Sequence, residues 1–180
     1  MQSYIAILRG INVSGQKKIL MEDLRGLLKE MKLKDAQTYI QSGNIVFKSD
    51  DKFSNEKLAA KIEAGIKKKF GFDVPVIVRS EKELAKAIAA NPFIKNKKNN
   101  PDRQYITFLA AAPEKNLADQ LKSFSCAPDE FHIDGEEIFL HCPVSYGETK
   151  LSNNFFEKKL KVVATTRNWK TVNTLLEMCR

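Results

Sequence analysis

The sequence predicts an α+β protein in which the order β-α-β-β-α-β is followed by a second run of β-α-β-β-α. Three observations carry that reading. Short apolar runs have strand periodicity, the segments between them carry stripes at helical spacing, and two turn signals, Ser42-Gly43-Asn44 and Asp134-Gly135, each join a pair of strands.

Residues 3–9 read as a strand apolar on both faces, with Ile5 and Ile7 on one side and Tyr4, Ala6 and Leu8 on the other, so it is expected to be central. A polar, Gly-containing loop follows, and Met21, Leu24, Leu27, Leu28 and Met31 then recur at helical spacing. Strands at 36–41 and 44–49 flank the Ser42-Gly43-Asn44 turn, with Ile40, Ile45 and Phe47 expected on the inward face. The next helix has Ser54 as N-cap, a Phe53–Leu58 staple, the stripe Leu58, Ile62, Ile66 and Phe70, and Gly71 as its stop. Residues 74–79 form a further strand, and Pro75 near its start favours an edge position. This is the order of the ferredoxin-like split βαβ motif.

Ser80 and Glu83 make a capping box for a helix carrying Leu84, Ala87 and Ile88, which Asn91-Pro92 ends. The run 95–101 has no apolar side chain except Pro101 and is the linker candidate. Beyond it come a strand at 103–109, a helix at 113–123 opened by Pro113, strands at 129–133 and 136–142 about the Asp134-Gly135 turn, and helices near 152–160 and 168–178. The expected organisation is a subdomain over 1–79, a helix and linker over 80–102, and a second α/β subdomain with C-terminal helices over 103–180. Together they make two ferredoxin-like subdomains packed together, alike in element order and without detectable sequence identity between them.

Composition bounds the function classes. The 180 residues are 43% apolar and 29% charged, which excludes a disordered tail. No stretch approaches the roughly 20 apolar residues of a membrane span, and the run Tyr4–Leu8 is too short for a signal-peptide core, so a cytoplasmic protein without a membrane partner is expected. Cys126, Cys142 and Cys179 are widely spaced and encode neither a disulfide framework nor a zinc ribbon. The net charge of +8 is mostly scattered lysine, the signature of solvated helix faces. Its distribution is more informative, because residues 1–79 and 150–180 are basic while 113–148 carry only Lys115 and Lys122 against eight acidic residues.

The segment from Gly10 to Lys18 sits between a strand and a helix, where a phosphate loop would lie. However, Gln16 and Lys17 occupy the Lys and Ser/Thr positions of G-x-x-x-x-G-K-[ST], so no hydroxyl is placed for magnesium. The simplest reading is a Gly-permitted loop with solvated lysines. A second is an anion site of backbone N–H groups beside Arg9, Asn12 and Lys17. Thr165, Thr166 and Arg167 are expected at the start of the last helix, with Asn168 as its N-cap and Trp169 packed. His132 and His141 are the only histidines. With Asp134-Gly135 as a two-residue turn they share a face about 13 Å apart along the strand, too far to share a metal. Phe131, Ile133, Ile138, Leu140 and Cys142 line the opposite, core face, which makes Cys142 a small hydrophobe rather than a nucleophile. Strand 44–49 lacks the basic and aromatic signature of an RNA-recognition domain.

Three blocks, Arg9-Gly10-Ile11-Asn12-Val13-Ser14-Gly15, Thr38–Phe47 and Thr165-Thr166-Arg167-Asn168-Trp169 with Thr171, run in order along nearly the whole chain. Together they resemble an uncharacterised bacterial family, domain of unknown function 1697. Ser14 stands where that family more usually has glycine. The resemblance implies a cytoplasmic α+β protein with ferredoxin-like subdomains, and brings no catalytic residue with it.

The functional expectation is a protein that binds an anionic ligand (phosphate, nucleotide or nucleic acid) at Arg9, Gly10, Asn12, Lys17, Tyr39, Gly43, Asn44, Arg167 and Asn168. No metal and no cofactor is expected, and no catalytic residue is assigned. Two alternatives stand beside it. One is an enzyme acting on a small anionic substrate, with Arg9 and Arg167 as clamps and Tyr39 or His132 as proton-transfer groups. The other is an interaction module in which the blocks are purely structural.

Overall fold

Strand β1 (Gln2–Leu8) is the axis of the first half, with Ile5, Ala6, Ile7 and Leu8 all fully buried. A strand so placed needs a partner along each edge. It pairs antiparallel with β3 (Asn44–Ser49), Tyr4 opposite Phe47, and with β4 (Val76–Ser80), Ile5 opposite Arg79. Strand β2 (Lys34–Tyr39) completes the sheet, whose order is β2-β3-β1-β4. Pro75 stands just before β4, an edge strand of this sheet, as its missing N–H requires.

Helices α1 (Met21–Glu30) and α2 (Asn55–Phe70) lie over one face of the sheet. Tyr4, Ala6, Leu8, Ile45, Phe47, Val76 and Val78 pack there with Leu24, Leu28, Leu58, Ile62 and Ile66. Ser54 caps α2 by accepting from the Lys57 N–H, and Gly71, at φ +77°, ends it in the left-handed region. Helix α3 (Glu81–Ala90) starts with the expected capping box. The Ser80 N–H donates to Glu83 Oε2 at 2.7 Å, and the Glu83 N–H donates to Ser80 Oγ at 3.3 Å.

The computed structural model describes residues 1–50 and 53–180. They divide into two compact units, Met1–Ala85 with Leu175–Arg180, and Lys86–Thr174, the divisions falling within α3 and within the last helix.

The second unit repeats the plan. Its elements are β5 (Gln104–Leu109), α4 (Lys115–Lys122), β6 (Glu130–Asp134), β7 (Glu137–His141), α5 (Asn153–Leu160), β8 (Ala164–Asn168) and the first turns of α6 (Trp169–Cys179), in a sheet of order β6-β7-β5-β8. Each unit therefore has βαββαβ order and a four-stranded antiparallel sheet, the ferredoxin-like arrangement in both halves.

The equivalence reaches individual bonds. Tyr4 and Ile5 face Ser80 and Arg79, as Tyr105 and Ile106 face Asn168 and Arg167. The Leu8 N–H donates to the Gly43 carbonyl as Leu109 does to Glu136, both at 2.8 Å. Ser54 caps α2 and Ser152 caps α5. Glu63 Oε1 accepts from the Val76 N–H at 2.7 Å, and Glu157 Oε1 accepts from the Ala164 N–H at 3.1 Å. Ser80 and Asn168 each cap the helix that follows the fourth strand.

Three details depart from the sequence expectation. Residues 165–168 form β8 rather than a helix start, because each half needs a fourth strand along the free edge of its central strand. Asn168 nevertheless caps α6, its Oδ1 accepting from the Thr171 N–H at 2.8 Å. Ile40 is not inward: it sits at φ +50° in the turn and is 48% exposed, whereas Ile45 and Phe47 are buried. In the second hairpin Asp134 pairs with Glu137, so the two-residue turn is Gly135-Glu136 and the register is two residues from the expected one. A slip of two preserves which face each residue occupies. Phe131, Ile133, Ile138, Leu140 and Cys142 therefore still face the core.

Gly43 is the position where the first unit is least forgiving. It has φ +84°, and a Cβ there would lie 2.8 Å from the Leu8 Cβ and from the Ile11 Cδ1. Gly135 also has positive φ but has open space around it. Gly43→Ala is expected to cost about 2–4 kcal/mol, combining overpacking with left-handed strain, against about 1–2 kcal/mol for Gly135→Ala. Urea unfolding of the two variants beside the wild type checks this, and equal midpoints would contradict it.

Candidate functional site

Most of the residues singled out in the sequence meet at one end of the first sheet. There β1 ends, β3 and β4 begin, and the loop from Arg9 to Leu20 leads into α1. The loop has an unusual backbone. Gly10, Asn12, Ser14, Gly15 and Lys17 all have φ between +44° and +75°, while Ile11, Val13 and Gln16 between them do not. L-residues other than Asn and Asp visit this region only when held there.

Asn12 does the holding. Its Nδ2 donates to the carbonyls of Ile19 and Gln41, and its Oδ1 accepts from the Ile19 N–H, all at 2.9 Å. The Asn12 N–H also closes onto the Lys17 carbonyl at 3.3 Å. One side chain thus ties both ends of the loop to each other and to the β2–β3 turn. In that turn Asn44, fully buried, donates from Nδ2 to the Tyr39 carbonyl at 3.0 Å and to Ser42 Oγ at 3.1 Å. Tyr39 contributes its carbonyl here and pairs with Asn44 across the hairpin. Gly43 lets the turn close onto Leu8 and Ile11.

The remaining predicted residues complete the cluster. The Arg9 N–H donates to the Pro75 carbonyl at 2.9 Å, and Lys17 Nζ donates to the Asp73 carbonyl at 2.5 Å. The Asp73 carboxylate is itself paired with Lys67 at 2.7 Å. Arg9, Lys17 and Lys18 are the basic residues of this loop, Arg9 and Lys17 half-buried and Lys18 exposed.

Arg167 and Asn168 belong to β8 of the second unit. Arg167 Nη1 donates to Thr165 Oγ1 at 3.0 Å and to the Thr166 carbonyl at 2.9 Å. Thr166 Oγ1 lies 2.7 Å from Thr107 Oγ1 and donates to Asn153 Oδ1 at 2.7 Å, so its hydroxyl joins β5 to α5. The counterpart of Arg167 in the first unit is Arg79, at the opposite end of its sheet from Arg9.

His141 is buried and its Nδ1 lies 3.1 Å from Glu130 Oε1. In the observed register His132 faces Phe139, which brings the two histidines to about 7 Å apart along the strand rather than 13. Among the described residues no group of three or more His, Cys, Asp or Glu comes together that could hold a metal ion, and no helix is long and apolar enough to cross a membrane. Burial pushes the Cys142 and Cys179 thiols up to about 11, and burial, with Asp129 and Glu130 nearby, raises Cys126 as well. None of the three is activated as a nucleophile at neutral pH.

Sequence reasoning missed the part Asn12 plays as a clamp and the left-handed Ile40. It also missed strand β8, for which the run Val162-Val163-Ala164-Thr165-Thr166, rich in β-branched residues, was the available signal.

Fold and site together define a two-unit α+β protein with ferredoxin-like halves, one of which carries a basic, internally hydrogen-bonded loop at the end of its sheet. Residues 1–139 match the family described as protein of unknown function, DUF1697, and the chain belongs to that family. Among solved structures the conserved bacterial protein SP0830 from Streptococcus pneumoniae is similar over 99% of both chains, with a TM-score of 0.76 and 24% identity. A protein from Galdieria sulphuraria matches at a TM-score of 0.27 and 12% identity, over 98% of this chain and 90% of that one. Among curated proteins none matches.

Asn12→Ala is expected to destabilise the protein by about 2–4 kcal/mol, because it leaves the Ile19 N–H and two carbonyls without their partner. Amide exchange at Ile19 should accelerate well beyond that of the α2 core. Unchanged exchange at Ile19 would mean that the loop is held by something else. The thiols give a second check: iodoacetamide at pH 8 should label Cys142 and Cys179 only after denaturant is added.

Proposed function

We propose that the chain is a binding protein for a small phosphate-type anion, with the site at the end of the first sheet. The observation that carries the reading is the density of left-handed residues in this loop, five of the eight from Gly10 to Lys17, with the sign of φ alternating from Gly10 to Val13. Alternation of that kind turns backbone N–H groups toward one concave side, as in the nests that hold anions, while beyond it Val13 and Gln16 close a tight turn through the Gln16 N–H and the Val13 carbonyl at 2.9 Å. Arg9, Lys17 and Lys18 supply charge at the rim. Asn12, Tyr39, Gly43 and Asn44 serve as framework, since each is used to hold the loop against the turn. Arg167 and Asn168 take a structural part in their own unit.

Isothermal titration of the full chain with pyrophosphate, AMP and a short oligonucleotide at two salt concentrations tests this. Binding of pyrophosphate should weaken roughly tenfold in Arg9→Gln and fall with added salt, since charge-assisted contacts carry it. No binding at millimolar ligand, or binding indifferent to Arg9→Gln and to Gly10→Ala/Gly15→Ala, would sink it.

A second reading has its own support. The polar side chains of the three family blocks are joined to backbone and side chains of the protein itself, as a purely structural role in an interaction module would have them. Under that reading Asn12→Ala and Asn44→Ala lower stability sharply while no anion binds any variant.

A further inference from the structure

The geometry points to the free edge of β6 as a docking site for an extended cationic segment, which would add to the second sheet as a fifth strand. Strand β6 is the end member of the order β6-β7-β5-β8. Its pairing with β7 is regular over all five residues. The corresponding edge strand of the first unit, β2, is broken by a register irregularity between Lys34 and Gln37 and by Asp35 at φ +50°. Such breaks blunt an edge against strand addition, and β6 has none.

The register states which groups face outward. Asp134 and Glu137 close a two-residue turn, so hydrogen-bonded pairs alternate from there and the N–H and C=O groups of Phe131 and Ile133 are directed away from β7. A cavity of about 680 Å³ runs along this strand, touching every residue from Asp129 to Ile133 and walled on the far side by Phe124 and Cys126. Its apolar lining continues into the aromatic packing of Phe131 on Phe156 and Phe124 on Phe155. Lys122, also at the cavity, is paired with Asp119 at 3.0 Å.

Charge selects the occupant. Glu130, His132 and Asp134 stand exposed on the face opposite Phe131 and Ile133. A second copy paired antiparallel about His132 would set Glu130 of one chain against Asp134 of the other, a like-charge contact that opposes self-association. A strand with Lys or Arg at alternate positions meets those carboxylates with the opposite sign. Its intervening residues fall on the face of Phe131 and Ile133, the apolar part of a lining that is otherwise about half polar, so apolar side chains fit there. The fitting partner is therefore a segment alternating basic and apolar residues, bound by main-chain pairing and selected by charge.

The probe is a capped, fluorescently labelled peptide of alternating lysine and valine, titrated into the full chain and followed by anisotropy. Binding should be salt-sensitive, weaken roughly tenfold in Glu130→Lys/Asp134→Lys, and slow amide exchange at Phe131 and Ile133. Ile133→Pro removes an outward N–H without breaking the β6–β7 ladder and should abolish binding. Where that variant fails to fold, the same peptide N-methylated at every second residue gives the equivalent test on the unaltered protein. Absence of binding, equal binding of the N-methylated peptide, or equal binding of a lysine-glycine peptide would overturn the proposal.

Discussion

Strand β1 is buried on both faces from Ser3 to Leu8, and a strand in that position has no water to satisfy its backbone. Every N–H and C=O must find a lateral partner, which is why two antiparallel ladders flank it and why the demand continues past the last paired residue. The Leu8 N–H goes to the Gly43 carbonyl and the Arg9 N–H to the Pro75 carbonyl. In the second unit the Leu109 N–H goes to Glu136 and the Ala110 N–H to Val163. These bonds draw the β2–β3 turn and the entry to β4 against the end of β1. They also explain the glycine at 43, where a side chain would collide with Leu8 and Ile11. The site end of the first sheet is thus a consequence of burying its central strand.

The two halves solve the same problem with the same devices, down to a helix glutamate that accepts from the first N–H of the fourth strand. Against that background the differences are the informative part. After β1 the chain spends residues 9–20 in a loop with five left-handed residues, while after β5 it needs only residues 110–114, none of them left-handed. The common fold does not require the longer loop, since the second unit closes its sheet without one. The excess chain and its strain are therefore particular to the first unit and not a demand of the shared fold. The asymmetry at the hairpins runs the other way, with an irregular β2 edge in one unit and a regular β6 edge in the other.

Sequence pattern was sufficient wherever burial imposed a period. The stripe Leu58, Ile62, Ile66, the two-faced strand at β1, the Ser80–Glu83 capping box and the stop at Gly71 are all local signals of strong physical constraints, and each stands where it was expected. Strand β8 is not legible in that way, because three of its five residues are Thr165, Thr166 and Arg167, whose polar groups are satisfied by partners distant in sequence or along their own strand. Strand alternation carried one residue past Tyr39 puts Ile40 inward, whereas the turn holds that position at φ +50°. The register of the second hairpin turned on whether Asp134 belongs to the turn or to the strand, and the energy that separates those choices lies in the ladder rather than in the Asp-Gly pair. Of the candidate site, the residue types were legible and the division of labour was not: nothing local distinguishes an asparagine that binds a ligand from one that clamps a loop.

That division decides how the loop can work. Asn12, Ser14, Lys17 and the exposed Ile40 each hold a conformation costing about 1–2 kcal/mol outside glycine, and less for asparagine. A loop with those preferences would relax if it were tethered only through its flanking strand and helix. The three side-chain bonds of Asn12 fasten its two ends to each other and to the neighbouring turn, each contributing about 1 kcal/mol and together matching the scale of the strain. The strained conformation is therefore built into the free protein and does not await a ligand to impose it. For the anion proposed above, a loop fixed in this way would leave little ordering entropy to lose, and preorganisation of that kind raises affinity without adding a contact.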